Sequence, residues 1–167
     1  LPLLNSGQTF DLSTGRKTPD QAFHVHTEKD REDYIAANLR DKKYEHELYA
    51  LAPSVPIDRL IEHARERLWK EQTRQSYFPA FSYYLVMPDR KRAFRIQCDQ
   101  ARAEEVPFDS PMVQPYLAMT VESTLMVLML IGHVSWNIAD AALFIDYERV
   151  PNHYDPKLQA FINYIRI

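Results

Sequence analysis

At 167 residues and a net charge of −3, the chain is long enough to bury one core and lacks the basic balance of a nucleic-acid binder. Hydrophobic residues at 46% against 26% charged exclude a disordered chain. Three glycines exclude a glycine-rich phosphate loop, and a lone cysteine, Cys98, excludes an internal disulfide and fits a reducing, cytoplasmic setting.

Residues 1–28, with "LNSGQTFDLSTGRKTPDQ", are rich in Ser, Thr, Gly, Asn and Asp and show no sustained period. They read as an irregular N-terminal arm or linker anchored by Phe10, Leu12 and Phe23. The opening "LPLLNSGQTF" has no basic n-region, so it is not read as a signal peptide. The start at Leu1 instead of Met reads as a piece of something longer or processed.

Residues 29–167 read as one α+β domain. "TEKDREDYIAANLRDKKYEHELYAL" predicts a helix with acidic residues early, where a helix N-terminus favours them, broken by Pro53 and Pro56. In "SVPIDRLIEHARERLWKEQTRQ", Ile57, Leu60, Ile61, Ala64, Leu68 and Trp69 form the stripe of an amphipathic helix. After Ser76 the pattern turns to strand. "YFPAFSYYLVM" and "AFRIQC" predict a hairpin with "PDRKR" as its turn, "PFDSPMVQP" a loop, and "YLAMTVE" a third strand.

A helix follows that is apolar without interruption from Leu125 to Ile131, far short of the roughly 20 residues of a membrane span. Gly132 is placed to end it, and Ser135 to cap a short helix, "WNIADAA". "LFIDYERV" alternates as a fourth strand, and "DPKLQAFINYIRI" closes the chain as a helix with Asp155 at its N-cap and Pro156 at N1. Strands and helices are segregated, which predicts an antiparallel sheet of about four strands covered by helices on one face.

No self-contained catalytic constellation stands out. Ser135 lies near His133 and Asp140, but no G-x-S-x-G elbow surrounds it, and His133 suits a helix end. Cys98 reads as a small buried hydrophobe, Trp136 as a core anchor, and Arg149 as a partner for Asp155. "DRKR" at 89–92 and "RERLWK" at 65–70 read as a turn tip and a solvated helix face. "FHVHTEKD" places His24 and His26 in H-x-H spacing, where two imidazoles on an extended segment face one side; these are the weak metal candidates. The apolar helix is either plain core or one wall of a cavity for an apolar ligand, and its two methionines suit both.

The series strand, apolar helix, glycine, Trp, short helix and strand resembles the sterol-carrier-like fold, with Leu125, Leu128, Met129, Gly132, Trp136 and Ala139 at the matching positions. That resemblance implies a cavity for an acyl or sterol ligand, lined by Leu125, Met126, Leu128, Met129, Trp136 and Phe144. More widely, the arm, the charged helices and the tail residues Arg149, Pro151, Tyr154, Asp155 and Leu158 resemble the C-terminal region of metallo-β-lactamase-fold proteins similar to the CMP-N-acetylneuraminate hydroxylases, some of which carry a Rieske domain. This implies a non-catalytic accessory domain of an oxygenase or hydrolase. It would dock on an upstream metal-binding domain or chain, shape the substrate cleft or mediate homo-oligomerisation. The parent would hold one or two metal ions and this chain no cofactor, because the H-x-H-x-D-H element is incomplete here and one cysteine cannot ligate a Rieske cluster. The alternative is a stand-alone sterol-carrier-like module for an apolar small molecule.

Overall fold

The computed structural model describes every residue except 1–3, 5–7, 20, 21, 23, 24 and 50–53, and it divides into two compact units, Leu1–Lys43 and Tyr44–Ile167. In the first unit, β1 (Thr9–Asp11) and β2 (Arg16–Thr18) pair antiparallel, within the stretch whose sequence reads as irregular. The turn between them is made by Asp11, whose carboxylate accepts from the Ser13 amide (2.8 Å), the Ser13 hydroxyl (2.6 Å) and the Thr14 amide (3.3 Å). Those donors favour the charged form and hold its carboxyl down to about 2. Phe10 is half-buried, Leu12 is 80% exposed and anchors nothing, and Phe23 lies outside the described residues.

Helix α1 (Glu28–Asn38) starts at a capping box in which Thr27 and Asp30 satisfy each other's backbone amides. The sequence predicts this helix through to Leu51, but α1 ends at Asn38. It buries no side chain, so no apolar face packs against a core to carry the helix further along the charged run.

In the second unit, Glu45–Leu48 form a single 3-10 turn, followed by α2 (Ile57–Gln75). The expected stripe forms with a small rotation: Ile57, Ile61, Ala64, Leu68 and Gln72 are buried, whereas Leu60 and Trp69 are half-buried. Strands β3 (Ser82–Met87), β4 (Arg92–Gln97), β5 (Arg102–Val106), β6 (Tyr116–Thr120) and β7 (Asp146–Val150) form one sheet in the order β5-β4-β3-β6-β7. The sheet thus has five strands, not four; β5 is the addition. It is mostly antiparallel, with one parallel pair, β3 and β6, in the register Tyr83 opposite Leu117 and Leu85 opposite Met119.

Alternation sends Tyr83, Leu85, Met87, Phe94, Ile96, Leu117 and Met119 to one face, where they share a core with α2, α3 (Ser123–Leu130), α4 (Trp136–Ala141) and α5 (Pro156–Phe161). The opposite face is not bare. Tyr84, Val86, Ala93, Tyr116 and Ala118 cluster there with Phe108 and Met112 of the loop after β5, and the Val113 amide donates to the Tyr84 hydroxyl (2.9 Å). All six residues of β3 are therefore buried, which explains why its sequence is apolar and aromatic without a break from Tyr83 to Met87.

The hairpin tip is tied down as well. The carboxylate of Asp89 accepts from the backbone amide (3.0 Å) and the hydroxyl of Ser123, and Arg90 donates to the same hydroxyl (3.1 Å), so the turn between β3 and β4 holds the N-terminus of α3. Where the sequence pairs Arg149 with Asp155, the structure does otherwise. Arg149 donates to Gln159 (3.0 Å) and lies over the Tyr154 ring, while Asp155 caps α5 through the Lys157 and Leu158 amides and accepts from the Tyr77 hydroxyl (3.2 Å).

Candidate ligand-binding cavity

Helix α3 is apolar on every side, and seven of its eight residues are buried. The exception is Leu128, which is half-buried. It borders a cavity of about 220 Å³ lined also by Leu125, Val134, Ile138, Ala139 and Phe144, with Tyr44, His46 and His133. Leu125 and Ala139 are buried and form the floor; Tyr44, His133 and Ile138 are exposed and form the mouth.

Backbone turns end both helices. At the end of α3 the Gly132 amide donates to the Met129 carbonyl (3.0 Å) and the His133 amide to the Leu128 carbonyl (2.9 Å), which is a Schellman motif with Gly132 at φ +75°. The hydroxyl of Ser135 then caps α4 by accepting from the Asn137 amide (3.3 Å). The end of α4 repeats the motif: the Leu143 amide donates to the Asp140 carbonyl and the Phe144 amide to the Ala139 carbonyl. Here the left-handed position is held by Leu143 at φ +59°, although its side chain is 88% exposed. Both turns thus bond carbonyls at the ends of α3 and α4.

These two turns yield a paired prediction. Gly132→Ala should lose about 1–2 kcal/mol, because an L side chain disfavours the left-handed region. Leu143→Gly should not lose stability, and should gain up to about 1 kcal/mol once the entropy glycine adds to the unfolded chain is subtracted. Urea denaturation of both variants checks the pair; equal and opposite signs to those stated would contradict the backbone assignment.

Aromatic rings close one side of the cavity. Phe144 meets Tyr44 edge-on at 4.6 Å between centroids and His46 edge-on at 5.0 Å, while Tyr44 and His46 stack at 5.8 Å. His133 faces the Tyr49 ring edge-on at 6.3 Å.

Of the residues expected at a ligand site, Leu125, Leu128 and Phe144 meet at this cavity. Met126 and Met129 are fully buried in the core, and Trp136 is 3% exposed there with its indole N–H given to the Ile165 carbonyl (2.9 Å). Tyr44, His46, His133, Val134, Ile138 and Ala139 also line it, outside the set the sequence points to. The 3-10 turn that carries Tyr44 and His46 lies about a hundred residues from Phe144 in sequence, and no local pattern links them.

A broader cleft of about 400 Å³ runs between α2 and β5, lined by Asp58, Arg59, Ile61, Glu62, Phe94, Ala103, Glu104 and Glu105. At its rim Arg92 bridges Glu105 (2.7 Å) and Asp58, and Ile61, Phe94 and Ala103 supply apolar wall between these charges. Cys98 is 1% exposed, and burial pushes its thiol up to about 12, far from the range of a reactive thiolate. His26 is exposed and His24 lies outside the described residues; among the described residues no group of three His, Cys, Asp or Glu is placed to hold a metal. Among them, too, no helix is long and apolar enough to cross a membrane.

No protein-family model matches the chain, and no curated protein matches it. Among solved structures the chain is similar to palmitated SCP2L2 from Aedes aegypti, determined by solution NMR, with 14% sequence identity and a TM-score of 0.42, over 65% of this chain and 92% of that one.

Proposed function

We propose that residues 44–167 are a sterol-carrier-like module that binds one apolar small molecule in the cavity between α3 and α4. The observation that carries this reading is Leu128. A helix hydrophobic all round belongs inside a protein, and the one position of α3 that protein atoms leave partly uncovered opens on an apolar cavity. At about 220 Å³ the space is smaller than the roughly 300–1,000 Å³ of sites for drug-sized ligands, which favours a single alkyl or acyl chain over a fused-ring sterol. Tyr44, His46 and His133 supply hydrogen-bonding groups beside that chain.

Titration with a fluorescent fatty acid tests the reading. Saturable binding is expected, and Leu128→Glu should weaken it at least tenfold, since a carboxylate in an apolar cavity loses its hydration. Absence of saturable binding, or equal affinity in the variant, removes the proposal.

The resemblance to metallo-β-lactamase-fold proteins adds a proposed setting. The module would sit beside a metal-binding domain or partner chain in the cytoplasm, with the parent enzyme's one or two metals held there and none by the module. An H-x-H-x-D-H segment in the same reading frame, or in a chain that co-purifies, supports that setting; metal analysis of the purified assembly tests it.

A further inference from the structure

Phe144 stands at the boundary of two cavities. On one side is the apolar cavity of about 220 Å³, and on the other a recess of about 270 Å³ lined by Pro88, Asp89, Thr120, Val121, Glu122 and Asp146. Among the described residues Phe144 lines both. Its ring packs edge-on against the stacked pair Tyr44 and His46, and its backbone is fixed by the turn that ends α4.

The two spaces differ in chemistry. The first is walled by aliphatic and aromatic side chains. The second carries three carboxylates, two of which serve α3: Asp89 accepts from the Ser123 amide and Glu122 from the Leu125 amide (3.1 Å). Arg90, at the hairpin tip beside them, donates to Ser123. An apolar chain that lengthens inside the cavity therefore reaches an aromatic wall before it reaches a polar recess.

We propose that Phe144 sets the length of the apolar chain the cavity accepts, by closing it off from the recess. This rests on the ligand-binding reading above. While a chain still has apolar space to enter, each added methylene tightens binding about fourfold. The gain stops where the chain meets the Phe144 ring. Removing the ring joins the two spaces, and further methylenes then run past Phe144's position along Pro88 and Val121.

The experiment is a chain-length series of n-alkanols displacing a fluorescent fatty acid from the wild type, Phe144→Ala, Phe144→Leu and Phe144→Trp, with thermal unfolding of each. Alkanols carry no charge, so the carboxylates of the recess do not bias the comparison. In the wild type, affinity should rise by about fourfold per methylene and then level off at a definite length. That break should move to longer chains in Phe144→Ala, less so in Phe144→Leu, and to shorter chains in Phe144→Trp. Phe144→Leu and Phe144→Trp keep the test open should the alanine variant fail to fold. If alkanols bind and the break stays at one length in every folded variant, the length proposal falls and the ligand-binding reading survives. If neither the fatty acid nor any alkanol binds any of the proteins, both fall.

Discussion

Trp136→Ala is expected to cost about 3–5 kcal/mol of stability, the range for removing a large buried aromatic side chain. Trp136 opens α4 directly after the Ser135 cap and is 3% exposed, in one core with Leu125, Met126, Met129 and Leu130 of α3 and with Ile165 near the end of the chain. Its indole N–H donates to the Ile165 carbonyl at 2.9 Å, so one side chain holds both the start of α4 and the terminal segment. Set against the total stability of about 5–15 kcal/mol typical of a domain, such a loss leaves a large unfolded fraction. Trp136→Phe separates the two contributions. It keeps most of the apolar area but takes the donor from a buried carbonyl, and should cost about 1–3 kcal/mol. Urea denaturation with unchanged m-values measures both. A loss under about 1 kcal/mol for the alanine variant would contradict the place of Trp136 as a core anchor.

The indole is also instructive about what sequence can say. Its role as an anchor, the stop at Gly132, and the caps at Ser135 and Asp155 are all local, set by residue type and spacing within a few positions, and all stand in the structure. The failures share the opposite property. Strand β5 reads "RAEEV", with two adjacent glutamates and no alternating apolar face. It exists because it pairs with β4, where Glu105 meets Arg92 and Glu104 lies 3.8 Å from Arg95, so ion pairs join the few apolar contacts of Ala103 and Val106 on this edge strand. The parallel pairing of β3 with β6 is a matter of topology that neither strand's composition reports.

The candidate cavity shows the same division. Leu125, Leu128 and Phe144 were legible as apolar residues near α3, but Met126 and Met129 were equally so, and only packing decides which of them borders open space. An all-round apolar helix has no polar face to orient it, so its sequence has no phase. Tyr44 and His46 were illegible for a different reason. The charged run before them continues a helical pattern, whereas α1 stops at Asn38 and leaves a 3-10 turn free to set its rings against Phe144.

A second large effect is expected at Gln72, a buried amide on a helix face otherwise lined by Ile57, Ile61, Ala64 and Leu68. Its Nε2 donates to the Cys98 carbonyl (3.0 Å) and to the Tyr77 carbonyl (3.2 Å), joining α2 to the end of β4 and to the turn that leads into β3. The bond to Cys98 is buried and that to Tyr77 part-buried, and a buried acceptor deprived of its donor costs about 1–3 kcal/mol. Gln72→Leu keeps roughly the size of the side chain and removes the amide, so it should cost about 2–4 kcal/mol despite placing a more hydrophobic residue in an apolar core. Transfer of the aliphatic side chain into the core acts in the opposite direction and keeps the loss below the sum of two unmet carbonyls. Gln72→Ala should cost more, because it adds a cavity to the same polar deficit. Thermal and urea unfolding of the two variants give the order. Were Gln72→Leu to match or exceed the wild type, the amide would be a tolerated polar group and the link between α2 and the sheet would rest on apolar packing alone.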